Sequence, residues 1–179
     1  NPQEIKRLGA ARVGVAHCPS SNLILSSGVA PVIDLIAAGV HVGIGVDGSS
    51  SADSASMWLE SRQAMLLAKL KSGADAADAR MALEVATIGG AGCLGRIGEI
   101  GQLQVGMVGD VAIWDLTGIQ FAGAIADPIE AWLRCGPTSA RDTIVHGKAV
   151  VHNKELVSTK VNEMMTTHTR IATKMQQLN

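Results

Sequence analysis

A parallel-stranded α/β fold is what this sequence predicts, and three observations predict it. The segments VGVAHCPSSN (residues 13–22) and HVGIGVDGSSS (residues 41–51) are short runs rich in valine and isoleucine, and each leads into a polar group, His17 in the first and Asp47 in the second. Between them lies GVAPVIDLIAAG, whose apolar spacing and alanine content read as a helix. His17 and Asp47 stand 30 positions apart, about the length of a parallel β-α-β crossover. Both side chains are therefore expected at the same carboxyl edge of one sheet, the edge where α/β barrels carry their catalytic groups.

Asp47 is the centre of that expectation. It follows the almost wholly apolar HVGIGV, which reads as a strand buried on both faces, and a carboxylate at the end of such a strand must be paired or bound. The competing reading is an Asp-Gly turn pair. For His17 the alternatives are a hydrogen-bonded loop histidine and a functional one. Gly43 to Gly48 also match G-x-G-x-x-G, the dinucleotide fingerprint. That loop presents backbone N–H groups to a pyrophosphate at a helix start. Here Asp47 would set a negative charge beside the anion, the glycines begin inside the strand, and the next helix starts several residues on.

Beyond the loop, Asp53 or Ser54 is expected to cap a helix through MWLESRQAMLLAKLK, ending before Ser72-Gly73. Trp58, Met65 and Leu66 recur at helical spacing as its packing face, and Arg62 is either solvated or a brace for the Asp47 loop. Asp78 caps a second helix, ARMALEVATIGGAG, with Met81, Val85 and Ile88 on one face. From Gly98 the texture turns β-like: IGQLQVG and DVAIWDL read as strands, and DTIVHG and KAVVH as a hairpin through Gly147. FAGAIADPIEAWLRCGP carries the one phenylalanine, Phe121, and Trp132, which are expected to approach a pocket or a neighbouring subunit. VNEMMTTHTRIATKMQQLN reads as a surface or interface helix.

Composition narrows the class. Hydrophobic residues make up 47% of the 179, enough for a core, and with aromatics at 2% that core is built from Val, Ile, Leu, Ala and Met. A net charge of −1 leaves no electrostatic footprint for nucleic acid. No apolar run reaches bilayer-spanning length, so no membrane partner is expected and cytoplasm is the expected compartment. Cys18, Cys93 and Cys135 are odd in number and widely spaced, which indicates neither a disulfide framework nor a CxxC knuckle.

The stretches AHCPSSNLILSSGVAP and GVHVGIGVDGSSSADSASMWLESRQAMLLAKL, with ALEVATIGGAGCLGRIGEIGQLQVGMVGDVAIWDL after them, resemble the amidohydrolase superfamily. The likeness is to its purine, pyrimidine and triazine deaminase branch, of the 8-oxoguanine deaminase and hydroxyatrazine hydrolase type, and it runs to about Lys154. It implies a metal-dependent (β/α)8 barrel plus part of a small β-sandwich domain. In that scheme residues 1–96 are the last strands and helices of the barrel, 97–157 part of the sandwich, and 158–179 a C-terminal helix. Family metal ligands come from an HxH pair on the first strand, histidines on the fifth and sixth, and an aspartate ending the eighth. Asp47 matches the last. HCPSSN corresponds to the seventh strand, which implies that His17, Ser20 and Asn22 line the substrate pocket.

This chain has no HxH, and its five histidines, His17, His41, His146, His152 and His168, are scattered. A catalytic zinc takes about three protein ligands plus an open position, and two strands cannot close a barrel. The chain opens Asn1-Pro2-Gln3 without a methionine, so it is expected to be the carboxyl-terminal part of a longer enzyme and to need the preceding part as partner. The resemblance further implies one divalent ion, zinc or else iron, and a homo-oligomer. The implied reaction is hydrolytic deamination of a purine-like or other nitrogen heterocycle, with Asp47 as metal ligand and as the base that passes a proton from water to the leaving ammonia. The alternatives are a triazine or cytosine-type amino- or chlorohydrolase, and a non-catalytic binding or structural module that retains a partial barrel.

Overall fold

The computed structural model describes residues 1–52 and 54–177, so the expected cap at Asp53 lies outside the described residues. The chain divides into two compact units, residues 1–108 with 114–139, and residues 109–113 with 140–179.

The first unit opens with α1 (Pro2–Ala10), which the sequence reading passed over. Its signals are local: the Asn1 side chain accepts from the N–H groups of Gln3 and Glu4, Glu4 completes a capping box, and Pro2 sits in the first turn. β1 (Gly14–His17) follows, then α2 (Pro19–Ile24), α3 (Val32–Ala37) and β2 (His41–Ile44). β1 and β2 run parallel, in register from Gly14↔His41 to His17↔Ile44, and the Gly45 N–H extends the ladder to the His17 carbonyl at 2.9 Å. The expected strand–helix–strand crossover is present, with His17 and the start of the Asp47 loop at one edge. Among the described residues this sheet has two strands, so each keeps an unpaired outer edge. His41, at the start of β2, marks the opposite end.

α4 (Met57–Ser72) is capped by Ser56, whose hydroxyl accepts from the Leu59 N–H. Its start is therefore a few residues later than the expected Asp53 or Ser54. Asp78 caps α5 (Ala79–Glu84) as expected, accepting from the Met81 N–H at 2.8 Å. A π-helical turn (Val85–Gly89) then joins α5 to α6 (Gly90–Cys93). This glycine-rich end lies directly on the sheet. A Cβ at Gly89 would stand 2.0 Å from the Val42 carbonyl oxygen, and one at Gly43 would stand 2.9 Å from the Gly90 Cα. The Cys93 thiol fits between the carbonyls of His41 and Val15, at 3.1 and 3.4 Å. Val32, Leu35, Val40, Val42 and Val85 form one core cluster beneath the sheet.

A second cluster joins α4 and α5 to α7 (Pro128–Arg134) through Trp58, Met65, Ala68, Ala82, Trp132 and Leu133. The Trp58 indole donates to the Trp132 carbonyl at 2.8 Å. This corrects two expectations. Phe121 and Trp132 are core residues, 2% and 8% exposed, buried within this chain itself. Arg62 neither floats nor braces the Asp47 loop: it donates to the carbonyls of Leu133 and Arg134, filling acceptors at the end of α7. Leu66, expected on the packing face, is half-exposed.

IGQLQVG forms no strand, only a single bridge between Ile97 and Ile100. Gly98, Gly101 and Gly106 all take positive φ, so the chain turns every few residues and no straight run is long enough to pair. Leu103 and Val105 are left at 80% exposure or more.

The second unit is an antiparallel sheet in the order β3 (Val111–Ile113), β4 (Asp142–Val145), β5 (Lys148–His152), β6 (Glu155–Leu156). The β4–β5 hairpin turns at His146 and Gly147, both at positive φ, as a tight two-residue turn requires. Asp142 pins the far end of the hairpin. The Arg141 guanidinium donates to it at 2.6 Å, and the Asn153 amide and His152 ring bond its other oxygen, which together hold its carboxyl down at about 2. α8 (Val161–Gln176) buries none of its residues within this unit. Among the described residues no helix is long and apolar enough to cross a membrane, and the three cysteines are unpaired.

The glycine contacts set the first prediction. Gly89→Ala forces a methyl into the Val42 carbonyl and is expected to destabilise by about 1–3 kcal/mol, the usual cost of overpacking. Gly90→Ala, whose added Cβ meets nothing within 4 Å, should be neutral or slightly stabilising in a helix. Urea denaturation of both variants checks this, and equal effects would contradict it.

Candidate active site

Asp47 lies three residues past the end of β2 with φ +61°. Aspartate tolerates this left-handed conformation better than most residues, yet such a position persists only where neighbours fix it. Two serines do so. The Ser21 hydroxyl, from the first turn of α2, donates to Asp47 Oδ2 at 2.6 Å. Ser51 Oγ lies 3.3 Å from the same oxygen and 2.9 Å from Ser21 Oγ. The carboxyl itself is exposed at the sheet edge. The Ser21 hydroxyl, then the Gly48 amide and the Ser51 hydroxyl, hold it below the usual carboxylate range, so it is anionic at neutral pH.

The residues of the HCPSSN segment have distinct surroundings. His17 is 4% exposed, and its Nδ1 has no hydrogen-bond partner among the described residues. Burial pushes its imidazole below the ordinary value, against the opposing pull of the Glu60 carboxylate. It is therefore neutral at pH 7. Ser20 is buried; its N–H donates to Glu60 Oε2 at 2.9 Å and its hydroxyl to Gln63 Oε1 at 2.8 Å. Ser20 also borders a shallow cleft of about 200 Å³ with Leu23, Ile24, Leu59 and Gln63. Asn22 is half-buried and accepts from the Ser27 hydroxyl at 3.3 Å, beyond the end of α2. Cys18 shares this edge, but burial and the carboxylates of Asp47 and Glu60 push its thiol up, the reverse of what a nucleophilic cysteine needs.

Sequence reasoning missed Ser21, Ser51 and Glu60. Ser21 sat unremarked between two chosen residues. Ser51 belongs to a small-residue loop, GSSSADSAS, which hid it. Glu60 carried a readable signal: it lies in line with Ala64 and Ala68 at i, i+4 and i+8 on the apolar face of α4, where a carboxylate must have a partner.

The donor chemistry available to a metal is limited. Among the described residues no three His, Cys, Asp or Glu side chains converge on one point. Asp47, anionic and accessible at the edge, fits as one oxygen ligand, and the remaining ligands would have to come from outside these residues. The GIGVDG stretch ends in this left-handed turn, with the next helix starting only at Met57, so no helix N-terminus stands ready for a pyrophosphate.

Comparison with known proteins agrees with this architecture. A profile of the amidohydrolase family matches residues 1–153. An 8-oxoguanine deaminase of Pseudomonas aeruginosa is 45% identical over 147 residues, covering 82% of this chain and 32% of that protein. The crystal structure of an adenosine deaminase from Xanthomonas campestris, with bound zinc, superposes with a TM-score of 0.92 at 29% identity, covering 99% of this chain and 40% of that one. An atrazine chlorohydrolase from Arthrobacter aurescens, complexed with zinc, gives 0.88 at 30% identity, over 95% of this chain and 38% of that one. The chain thus spans about a third of the length of its curated relative.

Removing the Ser21 hydroxyl should release Asp47. In metal-free protein, Ser21→Ala is expected to move the Asp47 titration to higher pH, toward the ordinary carboxylate value, because the largest force depressing it is gone. Side-chain carboxyl NMR reads this directly, and an unchanged titration would show that the Ser21 bond does not form in solution.

Proposed function

The chain belongs to the amidohydrolase family, and on that footing we propose that it forms the carboxyl-terminal part of a metal-dependent deaminase barrel acting on a purine-like heterocycle. The observation that carries this reading is Asp47: an anionic carboxylate at the carboxyl edge of a parallel strand, oriented by two hydroxyls. A divalent ion, which is zinc in the two solved relatives named above, would when bound supply Lewis-acid stabilisation and a more acidic water. Asp47 would hold that ion together with ligands from outside these residues.

In the proposed step, water adds to the amino-bearing carbon of the ring, forming a C–O bond. As the C–O bond forms, the C=N electron pair moves onto the ring nitrogen. The Asp47 carboxylate takes one proton of the water and delivers it to the amine, whose C–N bond breaks to release ammonia, while the second water proton passes to the ring nitrogen as the carbonyl forms. Proton transfer of this kind needs the base within hydrogen-bond reach of the water, and the exposure of the Asp47 carboxylate at the strand edge supports that role. Ser21 and Ser51 keep the carboxylate turned to the edge. His17, Ser20 and Asn22 are proposed to line the substrate side of the same edge, His17 as a neutral imidazole.

A purine-like substrate is favoured because a curated relative is named 8-oxoguanine deaminase and a solved relative is titled an adenosine deaminase. The chlorohydrolase likeness keeps a second reading in which the leaving group is chloride on a triazine. The two differ in the product released, so both ammonia and chloride are assayed. The complete enzyme is expected to hold about one zinc or iron per subunit, as an open catalytic site does, and to release ammonia from 8-oxoguanine, guanine, adenosine-type nucleosides, cytosine or aminotriazines. A folded, metal-free and inert protein would favour a binding module instead. Asp47→Asn should lower turnover by ~10²–10⁴-fold, the usual contribution of a general base, with the fold intact. Asp47→Ala should lose metal more severely than Asp47→Asn, since no oxygen remains. Near-wild-type turnover of Asp47→Asn at full metal occupancy would reduce Asp47 to a turn residue.

A further inference from the structure

Glu60 has no part in the chemistry above, yet it is 0% exposed. A buried carboxyl is expensive unless its oxygens are bonded. Here Oε2 accepts from the Ser20 N–H at 2.9 Å, and Oε1 has no partner among the described residues. α2 lacks a capping side chain of its own, because its N-cap position holds Cys18. Glu60, 40 positions away on α4, supplies the missing acceptor to the first turn of α2. One turn further along α4, Gln63 accepts from the Ser20 hydroxyl, so two α4 side chains grip one residue. The next residue, Ser21, is the one that donates to Asp47.

These bonds close a ring. Asp47 leads by the chain through its loop into α4. α4 returns through Glu60 and Gln63 to Ser20, and Ser21 returns to Asp47. We propose that Glu60 is a positioning residue for Asp47: its carboxyl fixes the Ser20–Ser21 turn so that the Ser21 hydroxyl meets the Asp47 carboxylate in the orientation a metal ligand and base requires. The proposal rests on the reading of Asp47 given above. A residue that only stabilised the fold would tie Ser20 down for its own sake, and its loss would lower stability without acting through Ser21.

The test uses the complete, zinc-loaded enzyme and the variants E60L, E60Q, E60D, S21A and E60L/S21A. Zinc affinity, kcat, KM and the amide exchange rate of Ser20 are measured on each. E60L should speed Ser20 exchange, weaken zinc binding and lower kcat, each of the latter two by about 10–100-fold, the range seen for groups that orient metal ligands, while KM changes little. E60Q, which keeps an acceptor oxygen for Ser20, should recover most of that loss. E60L/S21A should be no worse than the more damaged single variant, because both remove links of one chain. Should E60L fail to fold, E60D gives the same pattern by drawing the oxygen back one methylene. A folded E60L or E60D with unchanged zinc affinity and kcat, or losses that simply add to those of S21A, would overturn the proposal. If Asp47→Asn and Ser21→Ala impair turnover and the Glu60 variants do not, this inference alone fails. If Asp47→Asn is itself silent, the underlying reading fails first.

Discussion

A carboxylate set in a left-handed turn at the end of a buried strand cannot keep its orientation unaided, and the Ser21–Asp47 hydrogen bond is the constraint on which the rest of this edge depends. Its length of 2.6 Å is that of a hydroxyl donating to a charged oxygen, roughly twice as strong as a neutral bond. It fixes the direction of the carboxylate, holds its titration below the usual carboxylate range, and ties the segment after β1 to the segment after β2. Without it the parallel pairing would bring the two strand ends together and leave their side chains uncommitted.

The sheet behind that edge is stiffened by close approach. Glycines at 14, 43 and 89 let the α5–α6 helix lie against β1 and β2 with backbone close to backbone, and Cys93 fills the remaining gap with its thiol between two strand carbonyls. The π-helical turn falls where the helix meets the sheet. Interiors packed this closely transmit strain and resist local adjustment, which suits a strand that must present one carboxylate in a fixed place.

Much of this was legible in the sequence. The valine-rich runs at 13–17 and 41–46, at crossover spacing, gave the parallel pair and placed His17 and Asp47 at one edge. Asp78 announced its helix by chemistry at a single position. Other elements were hidden for physical reasons. The six residues PSSNLI follow an N-cap position without a capping side chain, and the first turn of α2 is bonded instead by Glu60 and Gln63, 40 and 43 positions away. IGQLQVG has strand-like composition, but its glycines impose turns that composition does not report. Arg62 and Trp132 were misjudged because their partners lie on α7 and α4, far apart in the chain. Contacts made across tens of residues leave little local trace, and the Ser21–Asp47 bond and the pairing of Glu60 with Ser20 are of that kind, although the place of Glu60 on an apolar helix face was itself legible.

The central proposal is that the Asp47 carboxylate is a ligand of a catalytic metal; family membership and its place at the strand edge support it. Anomalous diffraction at the zinc edge from crystals of the complete enzyme tests it most directly. The account predicts a single strong peak with an Asp47 carboxylate oxygen about 2.0–2.2 Å away, the normal zinc–carboxylate distance, and with Ser21 still bonded to Asp47. A peak elsewhere in the molecule, with Asp47 bonded only to Ser21 and Ser51, would contradict it.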